Sequence, residues 1–87
     1  MKQWCVYILR CGDGSLYTGA TDAFPRRLEA HRSGKGAKYT RGRGPLEPVY
    51  RENFPDMSAA LKREYAIKHL SREEKLRLVM QSEYSID

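Results

Sequence analysis

The sequence predicts an α+β domain, a small three-stranded sheet flanked by helices. Residues 4–10 alternate with the period of a strand, Trp4, Val6 and Ile8 on one side and Cys5, Tyr7 and Leu9 on the other. The turn-forming run Cys11-Gly12-Asp13-Gly14-Ser15 separates it from a second short strand over residues 16–20, so the first twenty residues read as a β-hairpin. After the hairpin, helix-capping signals and apolar spacing of three to four residues alternate with one further strand.

Each later element has its own warrant. Asp22 as N-cap, Pro25 in a first turn and Gly34 as a stop predict a helix over residues 23–33, with Phe24 and Leu28 inward and Arg27 and His31 sharing another stripe. Residues 34–45 are rich in Gly, Lys and Arg with little to bury, which predicts a mobile loop. Residues 46–52 form the third strand, and Pro45 and Pro48 put it at an edge or near its own start. Asp56 or Ser58 caps a helix reaching about His69, with Leu61, Tyr65 and Ile67 as its apolar stripe. Ser71 and Glu74 have capping-box spacing and open a last helix, whose apolar side holds Leu76, Val79 and Met80 and whose tail frays after Gln81.

At 87 residues the chain fits one domain, residues 1–87, with a core over about residues 4–80 and no room for a second. Hydrophobic residues at 40% and charged residues at 31% exclude a disordered or fibrous class. Cys5 and Cys11 match no paired zinc-ligand spacing and are too few for a disulfide scaffold, so they read as reduced thiols, with a cross-hairpin disulfide as the alternative. Without a signal-like N-terminus or a bilayer-length apolar run, the chain reads as cytoplasmic, with no membrane partner.

Charge is the first pointer to function. The net charge of +5 and a sequence pI near 9.4 favour polyanionic partners. Between Arg26 and Arg43 stand seven cations (Arg26, Arg27, Arg32, Lys35, Lys38, Arg41 and Arg43) against one acid, Glu29, a local charge of +6. Interleaved glycines let that backbone approach a phosphate. A solvated loop is the plainer reading of the same segment.

Chemistry needs more than charge. If the hairpin loop is odd in length, Tyr7 and Tyr17 share a sheet face, although most such pairs simply pack. A phosphodiester hydrolase needs cationic donors, a group that orients or deprotonates water, and usually a divalent metal on oxygen ligands. Arg27 and His31 have the types for the first two, and Glu64, bordering the stripe of Leu61 and Ile67, is the best-placed carboxylate. An ion pair with Lys68, four residues on, would explain Glu64 equally well.

Taken in order, Val6-Tyr7-Ile8, Leu16-Tyr17-Thr18-Gly19, Arg27-Leu28 with His31, and Glu64 within a helix resemble the GIY-YIG nuclease family. The resemblance runs from Trp4 to about Leu78 and is greatest to small stand-alone members. Nine residues separate the tyrosines. The chain departs where Gly-Ile-Tyr is Cys5-Val6-Tyr7 and Tyr-Ile-Gly is Tyr17-Thr18-Gly19, and no Asn follows Asn53, where larger relatives carry one. It also reads as lacking the extra DNA-binding domain of relatives with known targets.

The resemblance implies a three-stranded antiparallel sheet flanked by helices and a metal-dependent endonuclease acting on DNA, structured or repair-related DNA included. It makes Glu64 the sole protein ligand of one Mg²⁺ or Mn²⁺, a shell that magnesium completes with water and phosphate. It gives Arg27 the scissile phosphate, and makes Tyr7 the base or orienter of water with Tyr17 beside it. A free phenol titrates near 10 and an imidazole near 6.5, so His31 is the alternative base. Tyr39 would touch substrate, and Arg26, Arg32, Lys35, Lys38, Arg41 and Arg43 would follow the DNA backbone. No organic cofactor is expected. The rival readings are a non-catalytic nucleic-acid-binding module and a protein-interaction domain.

Overall fold

The computed structural model describes residues 3–81. Its elements run in the order β1 (Trp4–Arg10), β2 (Leu16–Thr21), α1 (Phe24–Arg32), a single 3-10 turn (Lys38–Thr40), β3 (Glu47–Phe54), α2 (Met57–Lys68) and α3 (Arg72–Gln81). The sheet has the order β2-β1-β3 and is antiparallel throughout. This is the expected α+β architecture, with β1 central and both proline-flanked β3 and β2 at edges.

Residues 5–9 of β1 are all buried because helices cover both faces of the sheet. Cys5, Tyr7 and Leu9 join Cys11, Phe24 and Leu46 under α1, and Val6 and Ile8 join Tyr50, Ala60 and Ile67 under α2 and α3. The two faces are called here the α1 face and the α2 face. Both cysteines are free thiols, as expected. In a core this small each large side chain counts: Ile67→Ala is expected to lower unfolding free energy by about 2–5 kcal/mol. The exposed Leu61→Ala is expected to cost no more than about 0.5 kcal/mol, both read from urea denaturation.

Several local expectations are corrected. The first helix starts after Ala23, not Asp22, with no side-chain cap, and Thr21 Oγ1 accepts the Ala23 N–H at 3.0 Å. Gly34, at φ +82°, ends it as expected. Asp56, not Ser58, caps α2, accepting from the Ala59 N–H at 2.9 Å. The Ser71–Glu74 capping box forms in both directions, at 2.9 and 3.1 Å. The apolar stripe of α2 is Ala60 and Ile67; Leu61 and Tyr65 face out, Tyr65 at 67% exposure. Leu78 and Val79 hold α3 to the sheet, whereas Leu76 and Met80 are exposed. The third strand starts and ends later than expected, at Glu47 and Phe54. The predicted fraying lies outside the described residues.

Candidate active site

The five-residue turn puts Tyr7 and Tyr17 on one face of the hairpin. Tyr7 stands opposite Gly19 and Leu9 opposite Tyr17, so the tyrosines are diagonal neighbours with ring centroids 6.4 Å apart. Gly19 is the seat of the Tyr7 ring: a Cβ there would lie 2.5 Å from Tyr7 Oη and 3.1 Å from Tyr17 Cε2. The space that Gly19 leaves beside Tyr17 is therefore filled by the other phenol.

Helix α1 crosses this face and delivers His31, whose Nε2 hydrogen-bonds Tyr7 Oη at 2.8 Å. Tyr7 and His31 are each 1% exposed, so the two candidate bases form one buried pair. The His31 ring also lies edge-on to Tyr17, centroids 5.2 Å apart. On its other side, Nδ1 meets Thr40 Oγ1 at 2.9 Å. Thr40 is buried, so the basic loop contributes to the core and is not merely a mobile, solvated segment. Gly36 lets that loop pass over His31, since a Cβ would overlap the imidazole and lie 2.8 Å from His31 Cα. Sequence reasoning missed Thr40 and Gly36; their only signal was their place in a loop otherwise read as unburied.

Burial, reinforced by neighbouring Tyr17 and opposed by the Arg27 guanidinium, pushes the Tyr7 phenol up to about 12. Burial, then the charge of Arg27, pulls His31 below its ordinary value. Both groups are thus neutral near pH 7, and the nearby cation does not overcome desolvation of the phenol. The linkage has a definite sign. The folded state holds the Tyr7 proton more tightly than the unfolded chain, so that contribution is complete below about pH 10 and is lost as pH rises toward 12. The His31 contribution is complete above about pH 6.5 and is lost as pH falls. Between pH 9 and 11 the wild type is expected to lose stability faster than Tyr7→Phe, as measured by urea titration at each pH.

Arg27 is half-buried one helical turn before His31. Tyr7, Tyr17, Arg27 and His31 therefore gather on the α1 face. Glu64 comes from the other side, because α2 packs on the opposite face. Ala60, Glu64 and Ile67 follow one stripe, which keeps the Glu64 side chain only 18% exposed. Arg63, on one flank of that stripe, donates to Glu52 Oε1 on β3 at 3.0 Å. Glu64 is about 100° further round the helix, on the other flank of the stripe from Arg63. Its recorded partner is Lys68, at 3.2 Å. Thr18 Oγ1, on the same face of β2, is buried without a hydrogen-bond partner among the described residues.

No group of three His, Cys, Asp or Glu forms a metal cluster among the described residues. A single partly buried carboxylate, 18% exposed, instead suits a divalent ion that takes most of its ligands from water and substrate.

The family model described as the GIY-YIG catalytic domain matches residues 3–77. The chain belongs to the GIY-YIG catalytic domain family. It is similar to a UPF0213 protein of Oceanobacillus iheyensis, 56% identical over 78 residues that cover 90% of this chain and 91% of the relative. A UPF0213 protein of Clostridium perfringens is 55% identical over 74 residues, covering 85% of this chain and 80% of the relative. The solution NMR structure of a UPF0213 protein from Bacillus halodurans matches with a TM-score of 0.61 and 51% identity, covering 93% of this chain and 87% of that one. That of a protein from E. faecalis matches with a TM-score of 0.62 and 37% identity, covering 100% and 95%. The family points to endonuclease chemistry in general.

Around the core of this GIY-YIG domain, the expected nucleic-acid residues divide by environment. Arg26, Lys35, Lys38 and Arg41 are exposed. Arg32 is exposed too, but its Nε and Nη2 donate to the Leu46 carbonyl at 3.3 and 3.1 Å, which ties α1 to the start of β3. Arg43 bonds Asp13 at 2.5 Å and lies 4.4 Å over the Tyr39 ring. Tyr39, 42% exposed, stacks on Tyr17 at 5.8 Å. The arrangement is an aromatic step leading from solvent to the buried Tyr7–His31 pair. No described helix is long and apolar enough to cross a membrane.

Proposed function

We propose that this chain is a divalent-metal-dependent endonuclease that hydrolyses phosphodiester bonds in DNA. The observation that carries the reading is the buried Tyr7–His31 hydrogen bond at 2.8 Å with Arg27 beside it, at the root of a +6 segment. Isolated surface cations explain none of that burial. A phenol held against an imidazole beside a guanidinium is the equipment for proton transfer next to a bound phosphate.

In this reading Arg26, Lys35, Lys38, Arg41 and Arg43 attract the DNA backbone, while Tyr39 presents a ring to a sugar or base. Arg32 contributes charge while its donors brace the loop. Arg27 binds the scissile phosphate and stabilises charge gathering on its oxygens. Tyr17, half-exposed, lies between solvent and Tyr7 and positions the attacking water. Tyr7 takes the proton of that water as it passes its own to His31 Nε2, so the phenol serves without ever being a free phenolate in the resting site. Glu64 would hold a Mg²⁺ or Mn²⁺ ion, which when bound would supply Lewis-acid stabilisation of phosphate charge.

The test is cleavage of supercoiled plasmid, single-stranded and branched DNA by the purified chain, with Mg²⁺, with Mn²⁺ and with chelator, beside Tyr7→Phe. Metal-dependent nicking that Tyr7→Phe loses supports the proposal. Salt-dependent DNA binding with no cleavage would replace it with a non-catalytic binding module. Equal cleavage by wild type and variant would identify a contaminating nuclease.

A further inference from the structure

Beyond the residues given a role above, the contacts of His31 single out a group in the loop. We propose that Thr40 is a positioning residue that fixes the tautomer of His31, so that the Nε2 lone pair points at the Tyr7 hydroxyl. The inference rests on the nuclease reading for its purpose, but not for its geometry.

The argument is a count of hydrogens. Thr40 Oγ1 lies 2.9 Å from the Ala37 carbonyl and 2.9 Å from His31 Nδ1, and a hydroxyl has one hydrogen to give. The carbonyl oxygen can only accept, so the Thr40 hydrogen goes to Ala37. Thr40 Oγ1 then accepts from Nδ1–H. A neutral imidazole carries one N–H, so Nε2 is left as an acceptor, 2.8 Å from the Tyr7 hydroxyl that donates to it. The side-chain hydrogens of Tyr7, His31 and Thr40 each have an acceptor, and only the Ala37 N–H, 3.4 Å from Nδ1, gives one up.

The opposite tautomer leaves the Tyr7 hydroxyl unserved. With Nδ1 bare, Thr40 would turn its hydrogen to the ring and the Ala37 carbonyl would keep only the Thr40 N–H at 3.1 Å. Nε2–H would donate to Tyr7 Oη, and the Tyr7 hydrogen, in a residue 1% exposed, would need an acceptor other than His31. Leaving buried polar groups unpaired is costly. The one contact favouring that arrangement, Ala37 N–H to Nδ1, is the longest of the set at 3.4 Å.

The consequence is directional. When the Tyr7 phenol acts on water, its O–H bond breaks and an N–H bond forms at Nε2, giving an imidazolium whose Nδ1–H is already held by Thr40. No atom of the relay has to rotate. Beside burial, the groups that set the titration of this pair are Tyr17 on β2, Arg27 on α1 and Cys5 on β1, while Arg32 lines the hollow beside His31 and Thr40.

The test uses ¹⁵N-histidine-labelled full chain at pH 8, reading the ring-nitrogen shifts of His31 in wild type, Thr40→Ser and Thr40→Val. Wild type and Thr40→Ser are expected to show the Nδ1–H tautomer, and Thr40→Val a switch or a mixture. On DNA with Mg²⁺, Thr40→Val is expected to lower kcat about a hundredfold, at the low end for a positioned base, with KM kept and the acidic limb of the pH profile moved. Thr40→Ser is expected to restore both. An Nε2–H tautomer in the wild type overturns the inference, even if Thr40→Val does not fold. So does an unchanged tautomer in a folded Thr40→Val. If the tautomers behave as expected while no variant or wild type cuts DNA, the positioning role stands and the nuclease reading falls.

Discussion

Glu64→Gln is expected to lower metal-supported cleavage roughly a thousandfold while leaving the fold intact. A Lewis-acid contribution of several kcal/mol corresponds to about that factor, each 1.36 kcal/mol being tenfold. Glutamine keeps the length and shape of the side chain on the α2 stripe but removes the charge a dication needs. The competing explanation of Glu64 is its pairing with Lys68 at 3.2 Å, an i,i+4 contact whose lysine side is half-exposed. Such pairs contribute about 0.3–0.5 kcal/mol, so their loss cannot account for a kinetic effect of that size. Steady-state cleavage across Mg²⁺ and Mn²⁺ concentrations, with urea denaturation of both proteins, separates the two. Wild-type rates in Glu64→Gln at every metal concentration would remove Glu64 from the site. Equal rates at high metal but not at low would keep it as a ligand of reduced affinity.

Much of this could be read before any coordinates, and the reasons are physical. Strand period and loop parity together determine which side chains share a face, so the Tyr7–Tyr17 juxtaposition followed from counting. Helical period did the same for Arg27 and His31. Misreadings arose where size was taken for burial. Leu61 and Tyr65 are large and apolar, yet the helix rests on the sheet through Ala60, whose small side chain allows close approach, and the larger residues are turned outward. The same bias overestimated Leu76 and Met80. Glu64 was still legible, because a carboxylate one turn from Ala60 and three residues before Ile67 must lie near the inward stripe whichever apolar neighbours define it.

Contacts formed by irregular backbone were the illegible part. Thr40 reaches His31 from a loop with no period to count, and no propensity distinguishes it from the exposed Lys38 and Tyr39 beside it. Gly19 and Gly36 matter for what a side chain would strike, which depends on a ring delivered from another element. The opposition of burial and charge at Tyr7 was equally hidden. The Arg27 charge lowers the phenol, but the same packing that brings them together excludes water and pushes the phenol up.

Arg27 offers the second large effect and has two independent readouts. Arg27→Ala is expected to lower kcat/KM by about 10²–10³, the loss for one donor that meets charge developing in a transition state. Affinity for uncut DNA should fall much less, because six other cations of the segment remain. Arg27→Lys keeps the charge but not the planar fork and should recover only part of the rate. The second readout needs no substrate. The Arg27 charge lowers both His31 and Tyr7, so its removal should raise the pKa of each, with His31 followed by NMR titration and Tyr7 by absorbance at alkaline pH. If His31 does not move, Arg27 is not close enough to act on the pair. If His31 rises while cleavage stays within tenfold of wild type, Arg27 tunes the buried pair and the scissile phosphate is held by another cation, for which neighbouring Arg26 would be the next substitution.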